Sequence, residues 1–186
     1  MTAVVNFFAG PGAGKSTLST KLFGLMKELR YNVEFVPEFA KELTWKESFN
    51  DLSDQIYVFG EQHHRIYSLI DKVDYIITDS PLLLQLHYLE GGVTKYFDQG
   101  WKYHLKELIL NIHRQVPSIN FFVERGNRKY VTEGRNENES SALFIDKTIK
   151  NLLNVHNIDY TDVRHDETAD RILKIIGEKI ESIKDE

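Results

Sequence analysis

The strongest constraint on this chain is a short stretch near its start, AGPGAGKST, Ala9 to Thr17, set between the apolar run VVNFF and an amphipathic segment opening at Lys15. Gly10, Gly12 and Gly14 would each weaken a helix or strand by roughly 0.5–1 kcal/mol relative to alanine. They suit a sharp turn from a buried strand into a helix. Such a turn points several backbone N–H groups inward, and the helix start adds the positive end of its dipole, so the loop forms an anion cradle. A lysine and a hydroxyl directly after the last glycine complete the phosphate-loop pattern: Lys15 reaches the β- and γ-phosphates, Ser16 holds magnesium, and Thr17 lies near the α-phosphate. The predicted cofactor-binding residues are therefore Gly10, Pro11, Gly12, Ala13, Gly14, Lys15, Ser16 and Thr17, with a nucleotide and Mg2+ as the ligands. Ala9 stands where the pattern usually has its first glycine, and a methyl group is tolerated there if φ stays negative.

A strand feeding a glycine loop and a helix is one unit of an alternating α/β chain, and the rest of the sequence keeps that rhythm. Short β-branched or aromatic runs at Val4 to Phe8, Val33 to Val36, Tyr75 to Thr78, Ile119 to Val123 and Tyr160 to Val163 predict five buried strands of a parallel sheet. Between them, three- and four-residue apolar spacing predicts helices over Lys15 to Arg30, Ser53 to Val73, Trp101 to Val116, Ser141 to His156 and Glu167 to Lys184, with a shorter one near Glu38 to Lys46. The 186 residues suit one domain, 1–186. The stretch His87 to Gly100 reads as irregular after a short helix. The polar segment RGNRKYVTEGRNENES, Arg125 to Ser140, follows the fourth strand directly and reads as a lid over 125–140.

Absence of cysteine excludes disulfides, thiol catalysis and cysteine-ligated metal centres, and fits a reducing cytoplasm. The first apolar run has no basic leader and ends in the glycine loop, so a secretory signal is not expected, and no apolar run approaches bilayer length. A formal net charge of -5 argues against a protein that coats nucleic acid, while leaving room for a local basic patch.

Two carboxylates fall at predicted strand ends, where open α/β sheets bind their ligands. Asp79 ends the third strand and is placed to contact the magnesium shell, although Asp79-Ser80 before Pro81 is also a helix-start signal. Glu38 follows the second strand in VPEFAKE. It can orient an acceptor hydroxyl and take its proton, or simply favour a helix start through the dipole. Glu42 is a weaker candidate one turn later. Phosphoryl transfer also needs cations over the developing charge, and Arg125, Arg128, Lys129 and Arg135 lie in the lid segment, with Arg125 and Arg128 at its entrance. The same segment is rich in glutamate, so a solvated mixed-charge loop is the alternative. The helix carrying Gln62, His63, His64 and Arg65 is a candidate wall for the acceptor pocket. The predicted catalytic set is Lys15, Glu38, Arg125 and Arg128, and the predicted metal ligands are Ser16 and Asp79.

Taken together, AGPGAGKST, VPEFAKE, IITDSP and RGNRKYVTEGR resemble a small P-loop kinase of the nucleoside and nucleotide monophosphate kinase group, over nearly the whole chain. More narrowly, the chain resembles phage-encoded P-loop kinases related to thymidylate kinase and to the ribosylnicotinamide kinase domain. The resemblance implies a five-stranded parallel sheet in order 2-3-1-4-5, a three-layer α/β sandwich, a lid after the fourth strand, and ATP with magnesium. Within that group, size and layout are similar to the kinases that phosphorylate 5-hydroxymethyluracil in phage DNA during thymidine hypermodification, acting in the host cytoplasm. A nucleoside-type acceptor is thus implied, either modified DNA or a free nucleoside or nucleoside monophosphate. A regulatory NTPase without an acceptor is the reading from a different class.

Overall fold

The structure, a computed structural model, describes residues 1–89, 100–126, 130–131 and 138–184. Five parallel strands form its sheet: β1 (Ala3–Phe8), β2 (Val33–Val36), β3 (Tyr75–Thr78), β4 (Ser118–Glu124) and β5 (Thr161–Arg164). Their order is β2-β3-β1-β4-β5, as the resemblance implies. The α-helices among the described residues are α1 (Lys15–Glu28), α2 (Phe39–Trp45), α3 (Phe49–Ser53), α4 (Gln55–Tyr67), α5 (Gln85–Leu89), α6 (Gly100–Gln115), α7 (Glu139–Val155) and α8 (Ala169–Lys184). Helices cover both sides of the sheet, with α1 packed on α8. Parallel neighbours need crossover connections, and helices on both faces are what they produce.

β1 lies at the centre and all six of its residues are buried. In register with β4 it stacks Phe7 on Phe121, ring centroids 5.4 Å apart, in a core that includes Phe8, Leu22, Ile76, Ile77, Leu83 and Ile149. A second, much smaller cluster of Phe39, Leu43 and Val58 joins α2 to α4, with Ala40 and Leu52 against it. Among the described residues, no helix is long and apolar enough to cross a membrane.

The strand expectations hold to within a residue or two at each end. The long helix expected over Ser53 to Val73 is instead α4 alone, Gln55–Tyr67. Asp54 sets its start by accepting the N–H groups of Ile56 and Tyr57 on its carboxylate. Beyond Tyr67 the chain breaks into turns and reaches a left-handed backbone at Asp71, φ 61°, so the apolar Leu69, Ile70 and Val73 pack as a turn rather than as helix. The short α3 and a 3-10 turn at Leu82–Leu84 are additions to the expected elements. Most of the irregular stretch and of the lid segment, including Arg128, Lys129 and Arg135, lies outside the described residues.

Candidate functional site

β1 delivers the glycine loop to the carboxyl edge of the sheet, and α1 begins at Lys15. Gly14, the N-cap of α1, sits at φ 105°, and Gly12 at φ 77°, conformations that side chains rarely adopt. Gly10 is required for another reason. A Cβ there would come within 2.7 Å of the Ala142 carbonyl oxygen on α7. Ala9 is not among the positive-φ residues and is almost fully buried, so its methyl group joins the core instead of straining the loop.

The start of α1 has no side-chain cap and no acidic residue in its first turn. Its N-terminal amides thus keep both their donors and their positive dipole end for an anion. Lys15 folds back over the loop, its Nζ donating to the carbonyls of Ala9 at 2.8 Å and Gly10 at 3.2 Å. Burial of the ammonium lowers its pKa from a lysine's ordinary value. The negative charges of Glu38, Asp79 and Asp146 oppose that shift, in this order, and Arg125 adds to it.

Ser16 Oγ donates to Asp79 Oδ2. Asp79 is buried at 4% exposure, and its other oxygen, Oδ1, has no hydrogen-bond partner among the described residues. A buried carboxylate oxygen without a donor is costly, and a cation or its water shell removes the cost. The hydroxyl and the half-satisfied carboxylate therefore fit the hard, oxygen-liganded environment of magnesium. The helix-start alternative for Asp79 finds no support: Pro81 is the N-cap of the following 3-10 turn, and Ser80 N–H bonds to Thr78 Oγ1.

Glu38 ends the β2 connection as the N-cap residue of α2, in an extended conformation, and its carboxylate makes no capping bond. It stands first among the carboxylates acting on Lys15. Glu42, one turn on, forms a bidentate pair with Arg65 of α4, whose guanidinium also lies 4.7 Å from the centre of the Phe39 ring. That hydrogen bonding holds the Glu42 carboxyl below its ordinary range and raises Arg65 above its own. His63 of the same helix is stacked between Phe59 and Tyr67, and burial lowers its pKa.

Arg125 is nine-tenths buried and braced against the loop. Its Nε bonds Asp146 Oδ2 at 2.7 Å, Nη1 donates to the Pro11 carbonyl at 2.8 Å, and Nη2 to the Ala142 carbonyl at 3.4 Å. Asp146 uses its other oxygen to accept the Gly10 N–H at 2.6 Å, so one carboxylate joins the loop to Arg125. The Tyr130 ring lies against Gly12, where an added Cβ would meet it at 2.8 Å.

Sequence reasoning missed Asp146, and it named Gln62 only as part of a helix lining the acceptor pocket, although each carries a further signal. Asp146 falls in the buried stripe of α7, Ala142, Ile145, Ile149 and Leu153, and Gln62 in that of α4, Val58, Phe59 and Ile66. A polar side chain in an apolar stripe must find a buried partner.

Compared with known families, residues 4–171 match the model of a family described as an AAA domain. The chain belongs to this AAA domain family. It is accordingly a P-loop NTPase-type, nucleotide-binding domain, in keeping with the sheet order and the loop geometry. A search of curated proteins finds no match.

Proposed function

We propose that this AAA domain family member is an ATP-dependent, Mg2+-requiring phosphotransferase that moves the γ-phosphoryl group onto a hydroxyl of a nucleoside-type acceptor. The observation that carries this reading is the placement of Glu38, a carboxylate not used to cap its own helix yet the leading negative charge on Lys15. Glu38 acts electrostatically on the phosphate lysine and can take the proton of an acceptor hydroxyl; a hydrolysing NTPase would use such a carboxylate on water instead, so the labelled product separates the two readings.

In this reading the loop amides and Lys15 hold the phosphates in line. Ser16 and Asp79 would hold the magnesium ion, which would supply charge neutralisation for the phosphates. Glu38 accepts the proton of the acceptor hydroxyl as its oxygen bonds to the γ-phosphorus and the bond to the β,γ-bridging oxygen breaks, releasing ADP. Arg125 acts through the loop, holding Pro11 against α7, and Arg128 of the same segment is the cation assigned to the transferred group.

The resemblance points to 5-hydroxymethyluracil in phage DNA as acceptor. One observation favours the smaller alternative, a free nucleoside or nucleoside monophosphate: Arg65, the cation on the acceptor side, is neutralised by Glu42 instead of standing in a basic groove. Labelled ATP offered in parallel to thymidine, thymidine monophosphate and DNA containing 5-hydroxymethyluracil separates these readings. Transfer to DNA that falls steeply with salt supports the DNA acceptor, because counterions are regained as contacts are lost. Transfer to the small acceptors with little salt dependence supports the other. Released phosphate with no labelled acceptor would defeat the kinase reading.

A further inference from the structure

Gln62 lies in the middle of α4 and is 1% exposed. Its Oε1 accepts the Phe39 N–H at 2.9 Å, and its Nε2 donates to the Pro37 carbonyl at 3.3 Å. Those two backbone groups belong to the two peptide planes on either side of Glu38. Holding both planes restricts rotation about φ and ψ of Glu38, at -66° and 116°, and so fixes the direction in which its side chain leaves the backbone.

We infer that Gln62 is a positioning residue for Glu38, an inference that rests on the acceptor-activating role proposed above for that carboxylate. The chemistry explains why an amide stands here. Phe39 N–H, at the first position of α2, is one of the donors left open at the helix start, and an N-cap side chain bonds the N–H groups one or two residues further on, so this donor needs an acceptor from elsewhere. At α2 the N-cap residue is Glu38, and its carboxylate makes no such bond. Gln62 supplies the acceptor from a different helix and uses its second function, the NH2 group, on the preceding carbonyl. A side chain with one acceptor and one donor in a rigid plane can do both at once, and so holds the two peptide planes that flank Glu38.

The test uses the full chain, labelled ATP and whichever of thymidine, thymidine monophosphate or hydroxymethyluracil-containing DNA takes most label. Gln62→Leu removes both bonds and is expected to lower kcat for transfer on the order of tenfold to a hundredfold, with ATP affinity and acceptor KM changed by less than about threefold. Gln62→Glu provides the readout that a purely structural role would not move. Protonated, its carboxyl reproduces the amide, donating to Pro37 and accepting from Phe39; ionised, it loses the donor and repels the carbonyl. The ratio of variant to wild-type kcat should therefore approach one near about pH 6 and fall as pH rises toward about 9, the range over which buried carboxyls lose their proton. A ratio that stays flat with pH, or a Leu variant that loses ATP affinity in step with transfer, overturns the inference. Glu38→Gln separates this failure from that of the underlying reading. If Glu38→Gln transfers as well as wild type, or if no acceptor takes label, the role of Glu38 falls and this inference with it. If Glu38→Gln is inactive while both Gln62 variants are silent, the role of Glu38 stands and only the positioning falls.

Discussion

The phosphate loop hangs from β1, whose every residue is buried in the main core, whereas Glu38 hangs from β2 at the sheet edge and from α2, which shares with α4 only the small cluster of Phe39, Leu43 and Val58. The loop is clasped by Asp146 and Arg125, both with side chains mostly buried. The Glu38 wall is held by the Gln62 amide, by the half-exposed Glu42–Arg65 pair and by the packing of Arg65 and Tyr57 on the Phe39 ring. One side of the site thus hangs from the centre of the sheet, and the other from its edge strand and a small satellite cluster. In the proposed reaction the first side grips ATP, and the second meets the acceptor. A site that must admit and release a second substrate benefits from keeping that side less tightly packed.

The largest expected effects break this division of labour directly. Lys15→Ala should lower every ATP-dependent turnover, transfer and hydrolysis alike, by on the order of 10²–10³ in kcat. Glu38→Gln should lower transfer by on the order of 10²–10⁴ while leaving ATP affinity nearly intact. Parallel measurements of labelled product, released phosphate and ATP affinity check both; a Glu38→Gln variant that lost ATP binding would place the residue on the nucleotide side and dissolve the comparison.

Next comes the clasp. Asp146→Ala leaves the Arg125 guanidinium buried without its carboxylate and the Gly10 N–H without its acceptor, and should cost about 3–5 kcal/mol in a urea unfolding titration. A loss below about 1 kcal/mol would show that the loop is not anchored through Asp146.

The two sides also differ in how far the sequence reveals them. The loop is legible because its parts are contiguous: Gly12 and Gly14 take the backbone angles that only glycine adopts easily, and Lys15 and Ser16 follow at fixed offsets. The strands are legible because parallel strands buried on both faces need continuous β-branched and aromatic runs, as in Val4 to Phe8. Asp146 is not legible as a loop residue, since it reaches Gly10 across 136 positions, and Gln62 reaches Phe39 across 23. Nothing local records such pairings beyond a polar residue in an apolar stripe. The end of α4 is not legible for a related reason: Leu69, Ile70 and Val73 continue the helical spacing, but tertiary packing of a turn satisfies them equally well.

A smaller effect sharpens the account of the loop itself. Gly10→Ala would drive a methyl group against the Ala142 carbonyl oxygen and should destabilise the fold by about 1–3 kcal/mol, as overpacking does. Ala9→Gly, at the position where the pattern usually begins with glycine, should cost about 1–2 kcal/mol, from backbone entropy and the loss of one buried methyl group. Thermal unfolding of the two variants side by side checks the order; a more damaging Ala9→Gly would mean that position 9 and not position 10 sets the approach of the loop to α7.

The smallest effect is expected on the acceptor side, at Glu42–Arg65. Both side chains are partly exposed, so Arg65→Ala or Glu42→Gln should change stability by no more than about 1 kcal/mol, and less at high salt. The pH dependence has a definite sign. Because the hydrogen bond from Arg65 lowers the Glu42 pKa in the folded chain, the pair contributes fully above the ordinary carboxylate range and loses its contribution as pH falls through the lowered value. The difference in unfolding free energy between wild type and Glu42→Gln should therefore be constant from neutral pH down to the ordinary carboxylate range and vanish below it. If the difference instead grew as pH fell, or matched the Asp146→Ala loss in size, the α2–α4 wall would be anchored as firmly as the loop, and the contrast between the two sides of the site would not hold.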